Sequence, residues 1–145
     1  DRSGLLIGRL AELLADRWRE ELQRSPPDLI VPVPAWWGTR LCRLAAPTDT
    51  LAASLSRALR IPWSAQVLRK VRWTPPQSQL APTARRNNLR RAFALQPGVR
   101  LDPCRVLLVD DVLTTGTTAH RAAVELRAGG ATEVLTAVLA RGLGE

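Results

Sequence analysis

The chain has 145 residues, 46% hydrophobic and 23% charged, which are the proportions of an ordinary globular domain with one core. No apolar run approaches the roughly 18 residues that cross a bilayer, and no signal-peptide pattern opens the chain. Two cysteines, Cys42 and Cys104, supply neither a disulfide framework nor metal-ligand spacing, so a reduced, cytoplasmic protein is the simplest expectation. The net charge of +8 rests on arginine, Lys70 being the only lysine; it reads either as a solvated surface or as attraction for polyanions. With no methionine and a start at Asp1-Arg2-Ser3-Gly4, the chain reads as trimmed or partial.

Leu6, Leu10, Leu13, Leu14, Trp18 and Leu22 recur at helical spacing, predicting a helix from about Leu5 to Gln23, opened at Ser3 or Gly4 and ended by Ser25-Pro26-Pro27. Those leucines are expected in the core. Leu29 to Val33 reads as a buried strand, which Pro32 and Pro34 break into a loop. Trp36 and Trp37 in that loop suit core or hood packing better than ligand stacking, given the area a tryptophan buries. Thr48 or Asp49 is placed to cap a second helix, Thr50 to Leu59, with Leu51, Leu55 and Leu59 inward and Ile61-Pro62 as its stop. Ser64 to Trp73 reads as extended and carries Arg69, Lys70 and Arg72. A breaker-rich loop, Thr74 to Gln79, and a short basic helix, Thr83 to Arg91, come next. Phe93-Ala94-Leu95 is a short strand and Gln96-Pro97-Gly98 a turn.

The most informative stretch is Val106 to Thr118. Its apolar, β-branched opening reads as a strand buried on both faces of a parallel sheet. Asp110 and Asp111 stand at the carboxyl end of that strand, where ligands bind in open α/β sheets and where strand twist can bring both carboxylates to one crevice. Thr114, Thr115, Gly116, Thr117 and Thr118 then form a hydroxyl-rich turn into a helix. Backbone N–H groups converging at such a helix start make an anion site, and Gly116 allows close approach of a phosphate. Acceptors for sugar hydroxyls or a divalent cation thus stand beside donors for a phosphate, a combination suited to a phosphorylated sugar. An acidic pair after an apolar strand also occurs in ATPase metal-binding strands and in phosphoacceptor domains, so the pair alone decides little. Ala119, Ala122, Ala123 and Leu126, joined by Thr118, line the helix that follows, which ends at Gly129-Gly130; His120 on its first turn reads as a surface residue. Val134 to Leu139 is the last buried strand. Strands alternate with helices, so the pattern specifies an α/β fold, a doubly wound parallel sheet with helices on both faces. It is expected as one domain over 1–145, with an amino-terminal helix in 1–24 and a core in 25–142.

The run Leu-Leu-Val-Asp-Asp-Val-Leu-Thr-Thr-Gly-Thr-Thr resembles the signature for phosphoribosyl pyrophosphate (PRPP) in type I phosphoribosyltransferases, in the form carried by their ComF-type branch, which is associated with competence and DNA utilisation. The pattern around Arg69, Lys70, Arg72, Thr74 and Gln77, followed by Arg86 to Leu89 and Ala92-Phe93, is similar to the flexible loop of that branch. The resemblance implies that Asp110 and Asp111 hold the ribose hydroxyls directly or through Mg²⁺, and that residues Thr114 to Thr118 cradle the 5′-phosphate. It implies that Arg69, Lys70 and Arg72 form a lid on the pyrophosphate, and that Pro34 and Ala35 contact it, with Arg40 close behind. It departs at Arg43-Leu44-Ala45-Ala46-Pro47, where ComF-like chains read Arg-Gly-Phe-Asn-Gln, and it shows no four-cysteine zinc module.

Two functions follow. The first is transfer of a phosphoribosyl group to a nitrogen acceptor such as a nucleobase, with Mg²⁺ and release of pyrophosphate. The second is a non-catalytic protein that senses PRPP or binds single-stranded DNA in competence, its arginines meeting phosphates and its five tryptophans stacking bases. PRPP and a nucleobase, single-stranded DNA or competence proteins, and a homodimer are the expected partners; a membrane is not.

Overall fold

The computed structural model describes residues 2–34, 46–71, 92–113 and 116–141. In chain order the elements are α1 (Arg2–Arg24), β1 (Leu29–Pro32), α2 (Pro47–Leu59), β2 (Leu68–Lys70), β3 (Phe93–Leu95), β4 (Cys104–Leu113), α3 (Thr117–Ala128) and β5 (Ala131–Arg141). β4 is the central strand of a parallel sheet in the order β1-β4-β5. Its register sets Leu29 against Val106 and Pro32 against Val109 on one side, and Val106 against Val134 on the other.

An apolar run without alternation is what a strand covered on both faces requires. Val106 and Leu108 point into one core layer with Ala119, Ala122 and Leu126 of α3. Leu107 and Val109 point into the opposite layer with Ala11 and Ala15 of α1 and Leu51, Ala52 and Leu55 of α2. Helices therefore cover both faces. β4, α3 and β5 make one crossover unit, and Gly129-Gly130 end the helix against the rest of the fold: Leu101 N–H donates to the Gly129 carbonyl at 3.0 Å. On its other side β1 makes one further strand-like contact, where Ile30 bridges Trp63 in parallel.

Four expectations are corrected here. In α1, Leu6 and Leu13 are 62% and 66% exposed, and Leu10 is exposed as well. The inward stripe is Ile7, Ala11, Leu14, Ala15, Trp18 and Leu22, whose alanines let α1 approach α2 closely. Neither Thr48 nor Asp49 caps α2: the helix opens at Pro47 after Ala46, with no side-chain cap, and proline suits that position because its missing N–H would have no helical partner. Thr48 is instead buried and donates to the Val33 carbonyl at 3.3 Å, tying α2 to the end of β1. Finally, β2 and β3 do not join the parallel sheet. They pair antiparallel, Leu68 opposite Leu95 and Lys70 opposite Phe93, and bury Leu68 and Phe93 in the α3-side core. β5 also begins earlier than expected, at Ala131. The basic helix expected over 83–91 lies outside the described residues.

Candidate functional site

The site is built at the carboxyl end of β4. Asp110 follows Val106 and Leu108 in strand phase and is buried, 8% exposed. Asp111 is half-buried, and its backbone N–H donates to Asp110 Oδ1 at 2.9 Å. The carboxyls lie close enough to share a hydrogen bond when one of them is protonated, so the strand end does not hold them apart on opposite faces. Burial, reinforced by that hydrogen bond and by the neighbouring negative charge, pushes the Asp110 carboxyl up to about 6; the N–H of Asp111 opposes the shift. A carboxylate held this close to a second one favours whatever offsets the charge: a proton, hydroxyl donors or a cation.

Beyond Leu113 the chain reaches Gly116, whose left-handed φ of 77° turns the backbone into α3. Left-handed backbone is natural only to glycine, which explains Gly116 at the start of the helix. No side chain caps α3 there, and its first-turn donors and positive dipole end face the carboxyl edge of the sheet. Thr117 and Thr118 occupy that first turn, half-buried; Thr114 and Thr115 lie outside the described residues. His120 is exposed, and its backbone N–H donates to the Gly116 carbonyl at 2.9 Å, an ordinary first-turn bond.

The end of β1 lies beside this edge. Val33 N–H donates to the Val109 carbonyl at 2.8 Å, one residue before Asp110, and buried Pro34 follows. Ala35 and Arg40 lie outside the described residues. Arg69 and Lys70 are on β2: Arg69 is exposed, whereas Lys70 is half-buried and its amine is lowered by desolvation. Arg72 lies outside the described residues. The structure thus unites Asp110, Asp111, Gly116, Thr117, Thr118 and Pro34 at one edge and places Arg69 and Lys70 on the antiparallel pair packed against the α3-side core. The half-burial of Lys70 and the tie from Thr48 to Val33 were not visible in the sequence, where each residue reads equally well as a solvated base or a cap.

Among the described residues no group of three or more His, Cys, Asp or Glu side chains could hold a metal. Two carboxylates remain, which is what Mg²⁺ commonly takes from a protein when substrate phosphates complete its shell.

Residues 50–144 match the family model described as phosphoribosyl transferase domain. Competence protein F of Haemophilus influenzae is 35% identical over 136 residues, covering 93% of this chain and 59% of the relative. DNA utilization protein YhgH of Escherichia coli K12 is 36% identical over 134 residues, covering 92% and 57%. The chain spans between half and three fifths of the length of these relatives. Among solved structures, a purine phosphoribosyltransferase from Pyrococcus horikoshii aligns with a TM-score of 0.60 at 26% identity, covering 93% of this chain and 73% of that one. An adenine phosphoribosyltransferase aligns at 0.63 with 16% identity, covering 95% and 71%, a likeness of fold. No described helix is long and apolar enough to cross a membrane.

Proposed function

We propose, from the premise that this chain belongs to the phosphoribosyl transferase domain family, that it binds PRPP with Mg²⁺ and transfers the phosphoribosyl group to a nitrogen acceptor such as a nucleobase, in the cytoplasm. The observation that carries this reading is the buried Asp110 joined to Asp111 at the edge where Gly116 opens α3. Asp110 and Asp111 accept hydrogen bonds from the ribose 2′- and 3′-hydroxyls. Thr114 to Thr118 hold the 5′-phosphate, whose charge the amino end of α3 favours. The C1–O bond to pyrophosphate breaks, a C1–N bond forms, and the acceptor nitrogen gives up its proton. Positive charge that develops on the sugar is stabilised by the two carboxylates in a partly desolvated setting. Asp110 and Asp111 would hold Mg²⁺ together with the substrate, and the ion would supply neutralising charge for the leaving group. Lys70, Arg69 and Arg72 add cations toward the same group, with Pro34 and Ala35 supporting it from the end of β1. The lowered amine of Lys70 is consistent with such a role, because a desolvated ammonium gains most from a phosphate partner.

Calorimetric titration of PRPP, with and without Mg²⁺, tests the site. Wild-type protein is expected to bind in a Mg²⁺-dependent way and Asp111→Asn to lose at least tenfold in affinity. Equal binding by both proteins would sink the assignment. Release of pyrophosphate in a screen of nucleobases then tests transfer.

A second reading is favoured by the names of the relatives, a competence protein and DNA utilization proteins, together with the charge of +8. On it the chain senses PRPP or binds single strands without turnover, alone, as a homodimer or with competence proteins. Salt-sensitive binding of a single-stranded oligonucleotide, with no pyrophosphate release from PRPP, is its expected signature.

A further inference from the structure

At the opposite end of the sheet, below the start of β1, the carboxyl-terminal turns of α1 and α2 line an open cleft of about 860 Å³. That is the size of a small-molecule site. Its walls are of two kinds. Leu22, Pro27 and Ile61 give an apolar floor, and Arg19, Arg57 and Arg60 give the charge. Asp28 is its only acidic residue, and its Oδ2 is already engaged, accepting from the Arg105 backbone N–H at 2.8 Å.

The arginines differ in what occupies them. Arg19 pairs with Asp16 across one exposed turn at 2.6 Å. Among the described residues, Arg57 donates only to the neutral Ser54 Oγ, at 3.3 Å. Arg60 makes no side-chain hydrogen bond or ion pair among the described residues. An arginine in the last turn of a helix also offsets the helix dipole, and Arg57 in α2 serves that purpose. Arg60 follows directly on the last residue of α2, so its charge also suits that helix end, but no side-chain acceptor among the described residues holds it.

Its backbone supplies an independent observation. Arg60 has φ 57° and ψ 40°, left-handed, and its N–H closes the helix on the Ser56 carbonyl. Glycine is the usual residue at such a helix end, since a β-carbon there is resisted sterically. Arg60 is the only non-glycine with positive φ among the described residues. A strained position that sets a long cationic side chain at a cleft, with no side-chain partner among the described residues, points to a ligand.

We propose that this cleft is a second ligand site, for a phosphorylated small molecule of nucleotide size, at the far end of the sheet from Asp110. Phosphate oxygens take the forked donors of Arg57 and Arg60, and the uncharged part of the ligand lies on Pro27 and Ile61. The proposal is independent of the phosphoribosyl reading, because none of these residues belongs to the carboxyl edge.

The test is titration of ADP at low ionic strength into wild type, Arg60→Gly, Arg57→Gln and Asp111→Asn. Wild type is expected to bind one ADP. Arg60→Gly should weaken it about tenfold while keeping or raising the melting temperature, because glycine suits the left-handed backbone. Arg57→Gln should weaken it similarly, and Asp111→Asn should leave it unchanged. The proposal is overturned by no binding at millimolar ADP, by affinity indifferent to both arginine changes, or by loss in Asp111→Asn, which would put ADP at the carboxyl edge. Binding of a single-stranded oligonucleotide but not of ADP also overturns it. PRPP affinity depends on Asp111 and ADP affinity on Arg60, so failure of one reading is distinguishable from failure of the other.

Discussion

Asp110→Asn should make the protein more stable at neutral pH while impairing its site. Burial and Asp111 raise the Asp110 carboxyl from an ordinary 3.8 to about 6. The folded chain therefore binds that proton more tightly than the unfolded chain does, and stability falls as pH rises from about 4 to about 6, then stays level. A rise of that size costs the folded state little at pH 4, progressively more as the carboxyl ionises, and on the order of 3 kcal/mol once it is fully ionised. Asparagine never ionises, so it escapes this cost. It also keeps an oxygen to accept the Asp111 N–H, now made at 2.9 Å, and an amide that donates toward the Asp111 carboxylate.

Urea unfolding of wild type and Asp110→Asn at pH 5 and pH 8 measures the difference. The variant should be the more stable at both, with the gap widening by roughly 1–2 kcal/mol between them. Against a typical net stability of about 5–15 kcal/mol such a change is large. A variant less stable than wild type at pH 8, or a gap that does not depend on pH, would refute the account of a desolvated, charge-crowded carboxyl.

The same ionisation governs binding. Below pH 6, PRPP affinity of wild type should fall about tenfold per unit, because the proton competes with the ribose hydroxyls and Mg²⁺; in Asp110→Asn only the weaker dependence from the ligand's own phosphates should remain, read by titration calorimetry. Gly130→Ala should cost about 2–4 kcal/mol in denaturant unfolding, since at φ 106° its β-carbon would stand 2.8 Å from Asp102 Cβ and 3.0 Å from Asp102 N. Gly98→Ala, with φ 82° but open space around it, should lose only about 1 kcal/mol. Leu6→Gln with Leu13→Gln should change stability by less than about 0.5 kcal/mol, because both are exposed on α1, whereas fully buried Leu126→Ala should lose about 2–5 kcal/mol.

These contrasts show which parts of the molecule are written locally. β4 and α3 were legible because every local signal agrees: an unbroken apolar run, an acidic pair, a glycine before a helix and two glycines after it. α1 was legible as a helix, and Leu14, Trp18 and Leu22 as inward residues, but the side presented by its amino-terminal half was not. Its two candidate stripes share one period, and the leucine stripe carries more hydrophobicity than the stripe of Ala11 and Ala15. What selects the alanine side is the partner, since small residues admit α2 at close range, and no pattern within α1 expresses that. The same limit applies to β2 and β3, whose strand character was readable but whose antiparallel pairing depends on the path of the chain between them. Thr48 looks like a cap because capping is what threonine does near a helix start; its actual acceptor, the Val33 carbonyl, is fifteen residues away.

The candidate site divides along the same line. Strand phase places Asp110 with Val106 and Leu108 and Asp111 with Val109, yet both faces of β4 are covered, so phase alone does not say which carboxyl is buried. Burial follows from the edge, where the end of β1 flanks Val109 and the strand twist turns both carboxyls toward each other. The arginine cleft was illegible for a stronger reason. Arg19 and Arg57 lie on two helices, and Arg60 just past the end of the second, which meet through core packing that includes Ala11, Ala15, Leu51 and Leu55. Every residue of the cleft's charged wall is an ordinary surface arginine in the sequence. Only the left-handed backbone at Arg60 sets one of them apart, and backbone handedness at a non-glycine residue is decided by how the helix before it must end.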